Sequence, residues 1–158
     1  MILNIFTTSC TVAPSQHGGI IYAVGGSAEV GGSGHADLES LEPGLPAECD
    51  CSLCGPYDHL VWQLGPARLP APRTFSAVAA AETGPGGEAV LLVVGGDPDP
   101  DLTTSSAMLY NRRTERWAAA PHTAARRDSC RLVTLNGFIY AVGGYDNTCN
   151  QALATCEK

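Results

Sequence analysis

The sequence predicts an all-β protein assembled from repeated four-stranded antiparallel sheets, and three observations carry that expectation. An apolar run leading into two glycines occurs three times: Ile20-Ile21-Tyr22-Ala23-Val24-Gly25-Gly26, Val90-Leu91-Leu92-Val93-Val94-Gly95-Gly96 and Phe138-Ile139-Tyr140-Ala141-Val142-Gly143-Gly144. Repetition of a strand and a tight glycine turn marks a repeat architecture. Glycine and proline are abundant, at 18 and 11, while only 16% of the 158 residues are charged, which suits turns and strands better than helices. Tryptophan also recurs once per repeat, as Trp62 and Trp117.

Taken in chain order, residues 1–17 are expected to hold a leader or partial strand. The run Met1-Ile2-Leu3-Asn4-Ile5-Phe6 lacks a basic flank, is interrupted by Asn4, and is too short for a membrane span or a secretory signal. Residues 18–96 read as a first repeat, 97–144 as a second, and 145–158 as the opening of a third. The second repeat is the compact one: 48 residues separate Gly96 from Gly144, against 70 between Gly26 and Gly96. Most of the excess falls before Trp62, which follows Gly26 by 36 residues where Trp117 follows Gly96 by 21. An enlarged turn at about 42–61 accounts for it. Asp37-Leu38-Glu39-Ser40-Leu41 then takes the place of the strand ending at Tyr110, with Ser40 at the tyrosine position. A rival alignment uses Tyr57 as that tyrosine and puts the insertion directly after Gly26.

Four strands are expected within 97–144. Ala107-Met108-Leu109-Tyr110 is the first, and Trp117-Ala118-Ala119 follows the charged turn Asn111-Arg112-Arg113-Thr114-Glu115. Arg131-Leu132-Val133-Thr134-Leu135 is the third, and Asn136-Gly137 is a two-residue hairpin signal leading into the apolar strand from Phe138 to Val142. Four antiparallel strands in such an interval match one blade of a β-propeller.

The chain resembles kelch repeats. The resemblance rests on Gly95-Gly96, Tyr110, Trp117, Pro121, Arg126, Asn136-Gly137, Tyr140 and Gly143-Gly144, with Gly25-Gly26, Trp62, Pro70 and Arg73 as first-repeat counterparts, and it covers roughly residues 18 to 158. It implies an incomplete kelch-type β-propeller built of four-stranded antiparallel blades, with the missing blades supplied by a longer chain. Within it the glycine pairs are turn residues, and Trp62, Trp117, Tyr110 and Tyr140 are packing residues.

The turn after each glycine pair and the connection into the next blade should lie at one end of the sheets. That end would gather Arg73, Asp97, Asp99, Asp101, Arg126, Arg127, Tyr145 and Asp146, a mixture suited to a polar or charged peptide, with arginine as anchor. Asp97, Asp99 and Asp101 also read as ordinary turn chemistry, and Arg73 and Arg126, at a recurrent repeat position, as structural ion-pair partners. Cys49, Cys51, Cys54 and His59 have the donor types of a tetrahedral zinc site, yet a second Cys-x-x-Cys is lacking, so no metal and no cofactor is expected.

A net charge of -7 argues against nucleic-acid binding, and the odd count of 7 cysteines without a secretory signal points to a cytoplasmic protein with reduced thiols. No Ser/His/Asp or Cys/His set can be assembled, and His17, His35, His59 and His122 lack the spacing of copper ligands, so no enzyme is expected. The kelch resemblance implies a protein-interaction module. Its finer implications are the substrate-recognition region of a cullin-RING ubiquitin-ligase adaptor of the BTB-kelch kind, or an actin-binding scaffold. A kelch-type oxidase or sugar isomerase ranks below both.

Overall fold

Strand pairing follows the apolar runs closely. The computed structural model describes residues 11–14, 21–26, 36–42, 61–65, 67–83, 88–98 and 102–158, and no helix occurs among them. The first sheet joins β1 (Thr11–Pro14), β2 (Ile21–Val24), β3 (Leu38–Glu42) and β4 (Val61–Leu64) in that order. The second joins β5 (Ala77–Thr83), β6 (Glu88–Val94), β7 (Ala107–Asn111) and β8 (Arg116–Ala120) in the same way. A third contains β9 (Arg131–Leu135), β10 (Phe138–Val142) and β13 (Cys156–Glu157), with the short ribbon β11 (Tyr145–Asp146) and β12 (Gln151–Ala152) beside it. Every pairing is antiparallel. The first strands β1, β5 and β9 lie against one another in turn, so the sheets stack radially about their first strands. This is an all-β architecture of propeller type, as expected.

Two apolar layers hold the stack. Tyr22, Val24 and Leu38 of the first sheet meet Val78, Leu91, Val93 and Tyr110 of the second, with Leu69 of the connecting linker between them. The other side of the second sheet supplies Ala77, Val94 and Ala107, which pack with Cys130 and Leu132. Adjacent residues of β6 therefore face opposite layers, which is why its sequence is apolar without alternation. Each buried Val or Leu contributes roughly 1.5–3 kcal/mol. The far face of the third sheet is open: Val142 is 45% exposed, whereas Val94, at the same register position one repeat earlier, is 2% exposed.

Backbone conformation explains the glycine pairs. All six residues have positive φ, from 62° at Gly143 to 110° at Gly26. They also admit a close approach, since a Cβ on Gly95 would lie 1.8 Å from the carbonyl oxygen of Arg127. The hairpin at Asn136 and Gly137 has φ of 51° and 76°, the primed turn that a two-residue loop requires. Tyr110 pairs with Trp117, ring centroids 5.0 Å apart, and the indole Nε1–H donates to Ala67 O at 3.1 Å. Trp117 thus joins the outer strand of the second sheet to the linker ahead of it. Trp62 lies in β4 opposite Leu41.

Two expectations are corrected. The four strands of residues 97–144 do not make one sheet: β7 and β8 close the second sheet, while β9 and β10 open the third. The linker through Pro121 and the buried Arg127 crosses between sheets, so the sequence repeat and the sheet are out of phase by two strands. Leu41, not Ser40, is the counterpart of Tyr110, because β3 begins opposite Val24 after a connection one residue longer than that between β6 and β7. The strand at Leu38–Glu42 excludes the alignment on Tyr57, which lies outside the described residues.

Gly95→Ala combines positive φ with a clash against backbone and is expected to lower the unfolding free energy by about 3 kcal/mol. Gly137→Ala, with positive φ but no atom within 4 Å of the new Cβ, should cost only about 1 kcal/mol. Urea denaturation of the two variants checks the difference; equal losses would mean that close approach is irrelevant at Gly95.

Candidate partner-binding face

The glycine turns, the linkers and the connections from β6 to β7 and from β10 to β13 converge at one end of the sheets, and short backbone bridges weld them together. Thr74 pairs with Asp97, through Thr74 N–H to Asp97 O at 3.0 Å and the reverse at 2.8 Å. Asp128 pairs with Tyr145 in the same manner, at 2.8 and 3.0 Å. Gly26 N–H donates to Arg73 O and Gly96 N–H to Arg127 O, each at 2.8 Å.

Arg73 and Arg127 are buried, at 4% and 0% exposure, which corrects their assignment as partner anchors. Each side chain reaches into the sheet that follows it. Arg73 Nη1 donates to Gly95 O at 2.8 Å and Nη2 to Ser106 Oγ at 2.6 Å. Arg127 repeats this one sheet later, with Nη1 to Gly143 O at 2.6 Å and Nη2 to Thr155 Oγ1 at 2.7 Å, so Arg127 and not Arg126 is the repeat counterpart of Arg73. Burial in this geometry is tolerated because the fork of donors is met by fixed carbonyls and hydroxyls.

The two sites differ in one partner. Arg127 Nε and Nη2 donate to Glu157 Oε1 at 3.1 and 2.6 Å, and Glu157 also accepts from Ala124 N–H and Ala125 N–H at 2.6 and 3.2 Å. Burial works against the Glu157 carboxylate, but the Ala124 amide, the Arg127 guanidinium and the Ala125 amide together hold its pKa below the ordinary value. By strand register Met108 occupies the corresponding place beside Arg73. Arg73 Nε is left without an acceptor, and desolvation lowers the pKa of its guanidinium.

Asp97 is also inside, at 3% exposure. Its Oδ2 accepts from Asn147 Nδ2 at 3.1 Å, while Oδ1 has no partner. Asn147 N–H in turn donates to Thr103 Oγ1 at 3.0 Å, so the turn after β11 is pinned to the loop before β7. Burial raises the Asp97 carboxyl to about 6, with nearby Asp128 adding to the rise and hydrogen bonds from Thr103 and Asn147 opposing it. Asp128 is raised mainly by burial as well.

Groups reachable from solvent are fewer. Arg126 is exposed and its Nη1 donates to Thr148 Oγ1 at 3.0 Å. Asp146 is half-buried and accepts from Thr148 N–H at 2.9 Å, and the half-buried Tyr145 donates its hydroxyl to Asn150 Oδ1. Asp99, Asp101, Cys49, Cys51, Cys54 and His59 lie outside the described residues. Sequence reasoning placed the Tyr145-Asp146-Asn147 turn at this end but missed Thr103 and Glu157. Asn147 carried a local signal, an Asp-Asn-Thr turn, and the other two carried none.

No family model matches the chain. It is similar to two F-box/kelch-repeat proteins of Arabidopsis thaliana, at 30% and 29% identity over 84 residues, 53% of this chain and 22% of each relative. The chain therefore spans about a fifth of the length of the curated relatives it matches. Among solved structures it is similar to a fungal alcohol oxidase of the AA5 family in complex with copper, with TM-score 0.64 and 17% identity over 89% of this chain and 28% of the oxidase. It is similar also to YjhT, with TM-score 0.57 and 19% identity over 88% of this chain and 35% of YjhT. At these identities the structural likeness shows the fold alone, and the sequence relatives support kelch repeats.

Arg127→Ala removes an internal cation and strands the Glu157 carboxylate, with an expected loss of about 3 kcal/mol; Arg127→Lys, lacking the fork, should recover little of it. Arg126→Ala should cost less than about 0.5 kcal/mol, and chemical denaturation separates the neighbours. A carboxyl whose folded pKa stands above its unfolded one favours the folded state most at low pH, and that contribution is lost as pH rises through the folded value. Asp97→Asn should accordingly gain on the parent by about 2 kcal/mol as pH rises from roughly 4 to 7.5. A stability difference independent of pH would refute the assignment.

Proposed function

We propose that this chain is a protein-interaction module that presents the glycine-turn end of its stacked sheets to a polypeptide partner, as part of a substrate-recognition region serving a cullin-RING ubiquitin ligase. The observation that carries the reading is the convergence of turns and linkers from successive sheets at one end, fixed by the Thr74–Asp97 and Asp128–Tyr145 bridges. Side chains from distant parts of the chain are thereby held in one rigid surface, the arrangement that recognition needs and that loops alone do not provide. Similarity to proteins that combine kelch repeats with an F-box supports the ligase part. Arg126, Asp146 and the polar turn through Asn147 and Thr148 supply charge and hydrogen bonds at the rim.

The experiment is affinity capture from cell extract with the chain as bait, read by mass spectrometry, alongside two charge reversals. Arg126→Glu should reduce capture of specific partners at least fivefold with the melting temperature unchanged. Arg116→Glu, exposed at the start of β8 and at the opposite end, should leave capture intact. Equal capture by both variants would remove this face from the reading. Cullin among the proteins co-purifying with a longer natural form supports the adaptor role, and its reproducible absence would leave a binding module without ligase function.

A further inference from the structure

Successive interfaces of the stack are built from equivalent positions, and the second is filled with smaller side chains than the first. Strand register makes Tyr22, Val24 and Leu38 of the first sheet equivalent to Leu92, Val94 and Ala107 of the second. The linkers correspond as well. Leu69 N–H donates to Ala36 O at 2.7 Å and Thr123 N–H donates to Ser105 O at 2.9 Å, each upstream of its buried arginine at the same spacing. Leu38 and Leu69 are buried between the first and second sheets. Between the second and third, alanine and threonine stand in their places, leucine stands for Tyr22, and Ala141 occupies the position of Val93. Ala120 for Gly65 and Leu132 for Val78 run the other way, each restoring no more than a methyl or methylene group.

These truncations leave a cavity of about 240 Å³ between the second and third sheets. Leu92, Val94, Leu132 and Ile139 form its apolar walls, with Ala107 and Ala141 beside them. An apolar cavity stays dry and its lining forgoes dispersion contacts, so folding gains nothing by keeping one. The polar lining consists of His122, Thr123, Glu157 and Lys158, and each of these groups already has a neighbour within the chain. The Thr123 hydroxyl faces Ser105 O and Ala125 O at 3.1 and 2.7 Å, and His122 Nδ1 lies 3.5 Å from Ser105 Oγ. Glu157 is held by Arg127 and two linker amides, while Lys158 Nζ lies 3.4 Å from the centre of the Phe138 ring. An acid and a base thus line the same space, both engaged, so neither sign of charge is favoured in a ligand. A charged head would lose hydration there without gaining a counter-ion.

Going beyond the interaction-module reading, we infer that the wedge between the second and third sheets is a binding site for a small neutral molecule with a branched aliphatic body. The first interface supplies the template, since isobutyl groups of Leu38 and Leu69 fill the equivalent space there. A cavity of ~150 Å³ with similar walls accepts benzene, so the larger one here accommodates roughly seven to ten non-hydrogen atoms.

The test titrates the 158-residue chain with isohexanol, isohexanoate and isohexylamine while following the methyl resonances of Leu92, Val94, Leu132 and Ile139 by NMR. Isohexanol should shift these signals with a dissociation constant on the order of 1 mM, and the acid and the amine should each bind at least fivefold more weakly. Ala107→Leu combined with Thr123→Leu restores the first interface's pair, so it should raise the melting temperature by about 2 to 6 °C and weaken isohexanol at least tenfold. Ala107→Val alone narrows the cavity with less risk of overpacking and should weaken isohexanol at least threefold. Arg126→Glu, outside the lining, should leave the affinity unchanged. Methyl signals that do not move, an acid or amine that binds more tightly than the alcohol, or an Ala107→Val variant that binds as well as the parent would each overturn the inference. Any of these results would leave the partner-binding face standing, because that reading is tested by capture on Arg126→Glu.

Discussion

The contact on which the architecture depends is the passage of each linker backbone across the glycine pair of the sheet before it. The Arg127 carbonyl accepts from Gly96 N–H at 2.8 Å in a space that any Cβ on Gly95 would occupy. Remove that proximity and the linker cannot deliver β9 against β5, nor bring Cys130 to Val94 and Ala107. The apolar layers supply most of the driving force, but they are non-directional. Registry between sheets comes from this hydrogen bond and from its repetition at Gly26 and Arg73.

Features governed by local chemistry were legible in the sequence. The apolar runs, the glycine pairs and the Asn136–Gly137 hairpin each announce a backbone conformation through a few adjacent residues, and all lie where the reading put them. Trp117 was legible too, since a large apolar ring with one donor has few places to go, and Ala67 O satisfies it. Register was not. A single additional residue between Gly25 and Leu38 moved the tyrosine equivalent from Ser40 to Leu41, and spacing alone cannot say on which side of a loop a residue is added.

The charged residues show the sharper limit. Arginine is almost always exposed, so Arg73 and Arg127 read naturally as surface anchors. Their burial depends on carbonyls of Gly95 and Gly143 that lie in the next sheet, and no local pattern reports such a partner. Glu157 became visible as the counter-charge only once β13 had placed it against the linker at Ala124 and Ala125.

One residue fastens two neighbours at once: the main chain of Arg127 caps the turn of the second sheet while its side chain grips that of the third. Arg73 does the same between the first and second. Adjacent sheets cannot shear past one another without rupturing both halves of such a rivet. The spatial relation among the tips they carry is consequently set before any visitor arrives, and association is relieved of the entropy of arranging them.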